Sequence, residues 1–274
     1  MSGFVSLPSD GTPARRSPPR PIGPWLGKAA FLLLPLAAWH PPVRSGKVVR
    51  AVLPRLDAPL RRLAAVIAAG DVPARIGETL TGWAISLVIA TATAVPLGIL
   101  LGSSAFARQS SRLLVDALRS VPPLGLIPLA LLLFGARRQT ELMVTVPTML
   151  WPIMLQVSHG VRDIDPMLVE TGRAFRLPKA TLLRHVLMPA VTPYLITGLR
   201  LAAVMGLLLC IGIEVLTYVP GVGAAIAVAQ SVGAVLDVYA YTLVAIGLGV
   251  AMTLATYLAE GLLVPWSPAR RRRP

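Results

Sequence analysis

Three uncharged apolar runs constrain this chain more than any other feature: Gly82–Leu101 and Leu142–Val161, of 20 residues each, and Val238–Ala259, of 22. A bilayer core about 30 Å thick needs roughly 20 apolar residues in a helix, and the helix satisfies its own backbone polar groups where no water can. Each run therefore reads as a membrane-spanning helix. Tyr194–Tyr218 is long enough but contains Arg200 and Glu214. Val121–Ala136 has 16 uncharged residues and is read as extending back through Leu113–Ser120. Ile22–Trp39, with Lys28 near its start and Pro35 inside, is a further candidate. No small-residue cleavage site follows it, since the chain continues Trp39-His40-Pro41-Pro42, so it reads as a span and not as a secretory signal. The expected fold class is an all-α membrane protein with about six transmembrane helices.

The charge distribution supports this reading. The 274 residues carry a formal net charge of +14, which on a soluble protein points to nucleic acid. Here residues 1–76 hold eleven basic and three acidic side chains, and Arg270 to Arg273 close the chain. Residues 77–266 hold eleven basic and nine acidic side chains, so the apolar centre is nearly neutral. The expected partner surface is membrane lipid, with no nucleic acid. A lone Cys210 excludes an intramolecular disulfide and any cysteine cluster, and His40, His159 and His185 are too scattered for a histidine site. No metal, cofactor or catalytic residue is expected, and His159 reads as interfacial packing.

The organisation follows. Residues 1–21, rich in Pro and Arg, read as a disordered cytoplasmic tail. Residues 22–76 hold the first span and then an amphipathic segment, in which apolar residues from Val48 to Ile67 alternate with Arg50, Arg55, Arg61 and Arg62, interrupted at Pro54 and Pro59. Residues 77–266 form the main transmembrane domain, and 267–274 a basic cytoplasmic tail. With six spans and both termini cytoplasmic, the inside segments 1–28, 103–120, 161–193 and 267–274 hold 16 basic residues against nine in 40–76 and 135–141. Segment 40–76, with seven of them, runs against the rule locally, and snorkelling of its Arg side chains is the account the sequence offers.

The segment from Asp163 to Pro193 is the most informative. Asp165-Pro166 is a helix start, an acidic cap followed by proline in the first turn. The helix is expected to run to about Arg176, because Leu177 precedes Pro178. A second helix is expected from Pro178 to near Pro189. Arg173 and Arg176, three apart, are placed on one helix face, with Lys179 beyond the break. Two short basic helices joined by a kink read as a docking element.

In the span that follows, Glu214 is an ionisable group at membrane depth, read either as facing a pathway or as an interfacial carboxylate near a helix end. Arg200 reads as snorkelling, about 21 Å from Glu214 along the helix at 1.5 Å per residue. Pro220-Gly221-Val222-Gly223 opens a small-residue segment reaching Ala234, too short to span, read as a re-entrant or interfacial helix or else a loop. Glu214, Gly221 and Gly223 are the pathway candidates.

Glu170 to Pro189 resembles the cytoplasmic loop of ABC-importer membrane subunits, whose pattern is roughly E-A-A-x3-G-x9-I-x-L-P. Glu170 matches the Glu, and Val186, Met188 and Pro189 fall at the I, L and P positions. Thr171 and Gly172 replace the two alanines and Arg176 replaces the glycine, so Pro178 is left to supply the break. Val121–Gly135, Gly160–Glu170 and the run around Glu214 to Ile226 are similar to sulfonate/taurine/nitrate-type permeases, and the resemblance covers about residues 78–266. It implies a type I ABC-importer transmembrane domain in a bacterial inner membrane. The implied partners are a second permease copy in a homodimer, cytoplasmic ABC ATPase subunits and an extracytoplasmic solute-binding protein. The ATPase-coupling residues it implies are Glu170, Thr171, Gly172, Arg173, Arg176, Lys179 and Pro189. No phosphate-cradling G-x4-G-K-[ST] loop is present, so ATP hydrolysis is assigned to partners. Two rival readings are an ion-coupled secondary transporter, which calls for paired intramembrane carboxylates, and a membrane assembly protein without transport.

Overall fold

The computed structural model describes Pro54 and residues 57–263. The expected tail 1–21, the span Ile22–Trp39, most of the amphipathic segment before 57 and the tail 267–274 lie outside the described residues.

Helix α1 (Asp57–Ala68) carries Pro59 in its first turn, where no intrahelical N–H is lost. Pro59 therefore does not interrupt the amphipathic segment, as the sequence reading expected; it opens a helix. Gly70, at φ 85°, takes a left-handed conformation in the turn that ends the helix. Helix α2 (Val72–Ser103, 32 residues) follows, with proline in its first turn. Its buried face is a stripe of small residues four apart: Gly82, Ser86, Ala90, Ala94 and Gly98. Ser104 ends α2 and caps α3 (Ala105–Arg119), its hydroxyl accepting from Ala107 N at 3.1 Å. A 3-10 turn (Pro123–Leu126) leads into α4 (Ile127–Phe134).

Helix α5 (Arg138–Arg162) is the centre of the bundle, with Val144, Met149, Ile153, Met154 and Val157 buried. It runs parallel to α2: Gly82 faces Arg138 and Glu141, Gly98 faces Met154 and Val157, and Gly102 faces Val161. The loop helix α6 (Pro166–Ala174), the short α7 (Lys179–Leu182) and a π turn (Leu183–Leu187) lead into α8 (Met188–Thr217). Helix α8 runs antiparallel to α5, because Gly160 meets Tyr194, Gly198 meets Ile153 and Gly206 meets Met149. The short α9 (Val222–Ser231) and the long α10 (Val235–Leu263) complete the chain.

Among the described residues, three stretches are long and apolar enough to cross a membrane: α2, Met188–Ser231 and α10. The pair Ala105–Arg119 and Pro123–Phe134 makes a fourth if it is one span, but it is bent by 74°. The third span is thus not a straight helix extended back through Leu113–Ser120. Pro122 and Pro123 push Val121 and Pro122 out of helical geometry and split it. Helix α5 is long enough at about 1.5 Å per residue; its polar residues Thr140, Glu141, Thr145 and Ser158 are turned inward, where protein replaces lipid.

Two further expectations need correction. The second loop helix does not end near Pro189; Met188 and Pro189 begin α8. The proline ring displaces the carbonyl four residues back, and the chain absorbs this as the π turn before it. Arg200 is also more than a snorkelling residue: it donates to Glu260 at 2.6 Å and stacks 4.8 Å from the centre of the Tyr257 ring, joining α8 to α10.

Of the basic segment 40–76, Arg61, Arg62 and Arg75 gain a structural account. Arg61 pairs with Asp57 at 2.7 Å, Arg62 with Asp237 of α10, and Arg75 with Asp71 at 2.9 Å. Arg75 also lies over the Tyr241 ring, whose hydroxyl donates to Asp71. The Arg75 guanidinium, donating to it, holds the Asp71 carboxyl below the ordinary carboxylate range. These three arginines are each matched by a carboxylate, that of Arg62 coming from α10. Beneath them Val66, Val72 and Ala240 close a small core.

Candidate functional site

Two groups of residues stand at opposite ends of the bundle. At one end, next to Gly102, Val161 and Tyr194, is the loop between α5 and α8. Its base is tied by the Tyr194 hydroxyl donating to Asp163 at 2.5 Å. Asp165 accepts from Met167 N at 2.9 Å and so caps α6. The far end of α6 closes with Phe175 N donating to Thr171 O and Leu177 N donating to Gly172 O, both at 3.0 Å. Arg176 between them takes φ 51°. This is a helix end with a left-handed residue, in the position where the resembled pattern has glycine. The turn keeps glycine geometry with an arginine in it, and Pro178 does not replace it.

The same turn removes one expectation. Helix α6 ends at Ala174, so Arg176 lies beyond it and shares no helix face with Arg173. Gly172 is buried, and a Cβ there would lie 2.6 Å from Leu182 Cδ1; the residue lets α6 rest against the α7 turn. Glu170, Thr171 and Arg176 are exposed, Lys179 begins α7 and Pro189 sits in the first turn of α8. Around them an apolar surface is uncovered: Met167 is 71% exposed, Leu168 54%, Phe175 75% and Leu177 43%. Isolated exposed apolar residues are ordinary, but four within eleven positions of one loop form a patch of the kind that marks a protein contact.

The other end carries a buried polar network. Glu214, in the last turn of α8, is fully buried. Its Oε2 accepts from Thr79 Oγ1 of α2 at 3.0 Å and from Gly223 N of α9 at 2.8 Å. Thr79 Oγ1 in turn accepts from Val222 N at 3.0 Å. A Cβ on Gly221 or Gly223 would overlap the Glu214 side chain, which explains both glycines. The structure thus brings together the three residues singled out as pathway candidates. The interfacial reading of Glu214 does not hold, because no part of the side chain reaches solvent. The segment after Pro220 is a ten-residue helix and not a loop.

Glu141 of α5 lies beside this group and was not anticipated. It is fully buried, receives Arg138 Nη1 at 2.8 Å and is backed by Gly82. Arg138 also reaches Glu78 at 2.5 Å, on the exposed side. Cys210, one turn before Glu214, donates to Thr145 Oγ1 at 3.8 Å, one turn after Glu141. Oε1 of each buried carboxylate has no hydrogen-bond partner, and each faces a glycine, Gly82 or Gly221. The spacing of Thr79 and Gly82 on α2 is what sets the two carboxylates side by side. Among the described residues no group of His, Cys, Asp and Glu is arranged to hold a metal ion.

Comparison with known proteins places these features. Residues 94–267 match the family described as binding-protein-dependent transport system inner membrane component. The chain is 31% identical over 149 residues to the nitrate import permease NrtB of Leptolyngbya laminosa, covering 54% of this chain and 53% of that protein. It is 32% identical over 146 residues to the bicarbonate transport system permease CmpB of Synechococcus elongatus, covering 53% and 52%. It is 33% identical over 166 residues to the putative aliphatic sulfonates transport permease SsuC of Escherichia coli, covering 59% and 63%. The chain spans about half the length of the curated relatives it matches first. Among solved structures, a chain of the inward-facing methionine ABC transporter MetNI has the same fold, with TM-score 0.57 at 18% identity over 68% of this chain and 93% of that one.

Proposed function

The chain belongs to the binding-protein-dependent transport system inner membrane component family, and from that premise we propose that it is the membrane-spanning subunit of an ATP-driven importer of a small anion. Its fold is the type I importer transmembrane domain, and the apolar helices make it a multi-pass protein. The observation that carries the functional reading is the loop between α5 and α8: a capped helix with an uncovered apolar surface, at the end of the bundle where α7 and the π turn run on into α8.

In the proposed mechanism, cytoplasmic ATPase subunits seat α6 between them, with Met167, Leu168, Phe175 and Leu177 as the buried contact and Glu170, Thr171, Arg173, Arg176 and Lys179 around it. Gly172 holds α6 against the α7 turn. Because the π turn and Pro189 join this loop to α8 without a flexible linker, movement of α6 on ATPase closure is transmitted to α8, a rigid-body coupling between distant sites. A second copy completes the pathway, an extracytoplasmic binding protein delivers the solute to the α9 end, and both termini face the cytoplasm. ATP hydrolysis belongs to the partners. The relatives are named for nitrate, bicarbonate and aliphatic sulfonates, and a small anion is the chemistry these share.

An ion-coupled reading would draw on the Glu141–Glu214 pair. The bonds of that pair run to Arg138, to Thr79 and to the Gly223 amide, which ties it to the packing of α2, α5, α8 and α9.

The test is uptake in proteoliposomes holding the full chain, its ATPase and its binding protein, with labelled nitrate, bicarbonate and taurine offered in turn. Accumulation of one of them that requires both ATP and the binding protein is expected. Accumulation driven by an ion gradient without ATP would refute the reading.

A further inference from the structure

We propose that Glu214 is the latch that holds α9 across the end of the bundle away from the loop, and that α9 so held is the seal of the solute path there. The proposal rests on the transport reading above.

Helix α9 has ten residues, about 15 Å, and cannot cross a membrane. Six of its ten residues are nevertheless buried, Val222, Gly223, Ala224, Ala225, Ala227 and Ala229, while Val228, Gln230 and Ser231 are exposed. Small side chains give it a smooth surface that packs closely without interlocking. What fixes its position is therefore its first turn. The Val222 and Gly223 amides are first-turn donors with no partner inside the helix. They are taken by Thr79 and by Glu214, and the Thr79 hydroxyl closes the ring onto the same carboxylate oxygen. Helices α2, α8 and α9 meet at that one oxygen, and the carboxylate stands at the positive end of the α9 dipole.

The other oxygen shows why this is a latch and not merely a cap. Glu214 Oε1 is buried with no partner, pressed on Gly221. Burying a carboxylate oxygen without a bond is costly, so the held position carries a penalty as well as its packing. Lifting α9 would hydrate that oxygen. The closed state thus gains packing and loses solvation, and the open state does the reverse, which makes a two-position element. The Arg138–Glu141 pair beside it, open to solvent through Glu78, gives the network a water-facing end.

The experiment uses the full chain with its ATPase in proteoliposomes loaded with potassium nitrate. Efflux is followed without ATP, together with amide exchange over residues 219–232. In Glu214→Ala, nitrate efflux and α9 amide exchange are both expected to rise at least about tenfold, the weight of a lost charged hydrogen bond. Thr79→Val, which leaves the carboxylate in place, is expected to show the same changes at smaller size. It serves if the alanine variant does not fold. Glu214→Gln keeps a carbonyl that accepts both bonds and is expected to stay near wild type. Faster α9 exchange without efflux would leave Glu214 a structural cap and overturn the seal, and no change in either variant would overturn the latch. ATP-driven uptake by the wild type, measured in unloaded vesicles with the binding protein added and with nitrate, bicarbonate and taurine offered in turn, separates the two readings: its absence would refute the transport reading, while its presence beside tight, silent variants would refute the latch alone.

Discussion

A leucine at position 98 is expected to leave no folded protein, although glycine and leucine are both at home in a membrane helix. A Cβ at Gly98 would lie 2.7 Å from the Met154 carbonyl oxygen and 2.8 Å from Val157 Cβ. The first of these is backbone in the middle of the central helix, and it has no rotamer to change. Alanine there is expected to cost about 1–3 kcal/mol, the usual range for overpacking. Leucine adds three more carbons at the same contact and would part α2 from α5 along the small-residue stripe, taking most of a marginal stability of roughly 5–15 kcal/mol. In lipid this loss is not offset by a hydrophobic gain elsewhere, since helix association there depends on close packing. The check is the melting temperature and the monodisperse fraction in detergent, with Gly247→Leu as the control. Nothing lies within 4 Å of a Cβ at Gly247, and no loss is expected there.

The second large effect falls on the loop and leaves the fold alone. Leu168→Ser with Phe175→Ser removes two side chains that are 54% and 75% exposed, so stability is expected to hold within about 0.5 kcal/mol. If the ATPase buries them, each is worth about 1.5–3 kcal/mol, and losing both should weaken ATPase binding by more than about 100-fold. Titration of immobilised permease with its ATPase measures this directly. Unchanged affinity would show that the apolar surface is not the contact.

These two expectations differ in how far the sequence carried them. The loop was legible because its signals are local: Asp165-Pro166 starts a helix, and Leu177-Pro178 sets a limit that the helix does not pass. The left-handed turn at Arg176 was not, since a residue-type rule assigns that geometry to glycine. The closing bonds of α6 fix it whichever residue stands there, at a cost of order 1–3 kcal/mol. The bend at Val121 is written in Pro122-Pro123, although the uncharged length of the run by itself points to a full-length span. The stripe Gly82-Ser86-Ala90-Ala94-Gly98-Gly102 is also present as a period of four, which apolar length alone does not express.

The network around Glu214 was legible in part. An acidic group in a span draws notice at once, and Gly221 and Gly223 follow from their composition. Glu141 drew none, because it stands just outside its uncharged run. The pairings Thr79–Glu214, Arg62–Asp237 and Arg200–Glu260 join residues 135, 175 and 60 positions apart. No periodicity in one chain specifies such partners; only the packing of the helices does.

The most direct test of the account is purification of the tagged full chain from its native membrane in mild detergent, once intact and once with residues 166–177 replaced by a Gly-Ser segment of equal length. The account expects an ATPase bearing a G-x4-G-K-[ST] loop to come with the intact chain and to be lost with the replaced one. Recovery of no such ATPase, or of equal amounts with both, would contradict it.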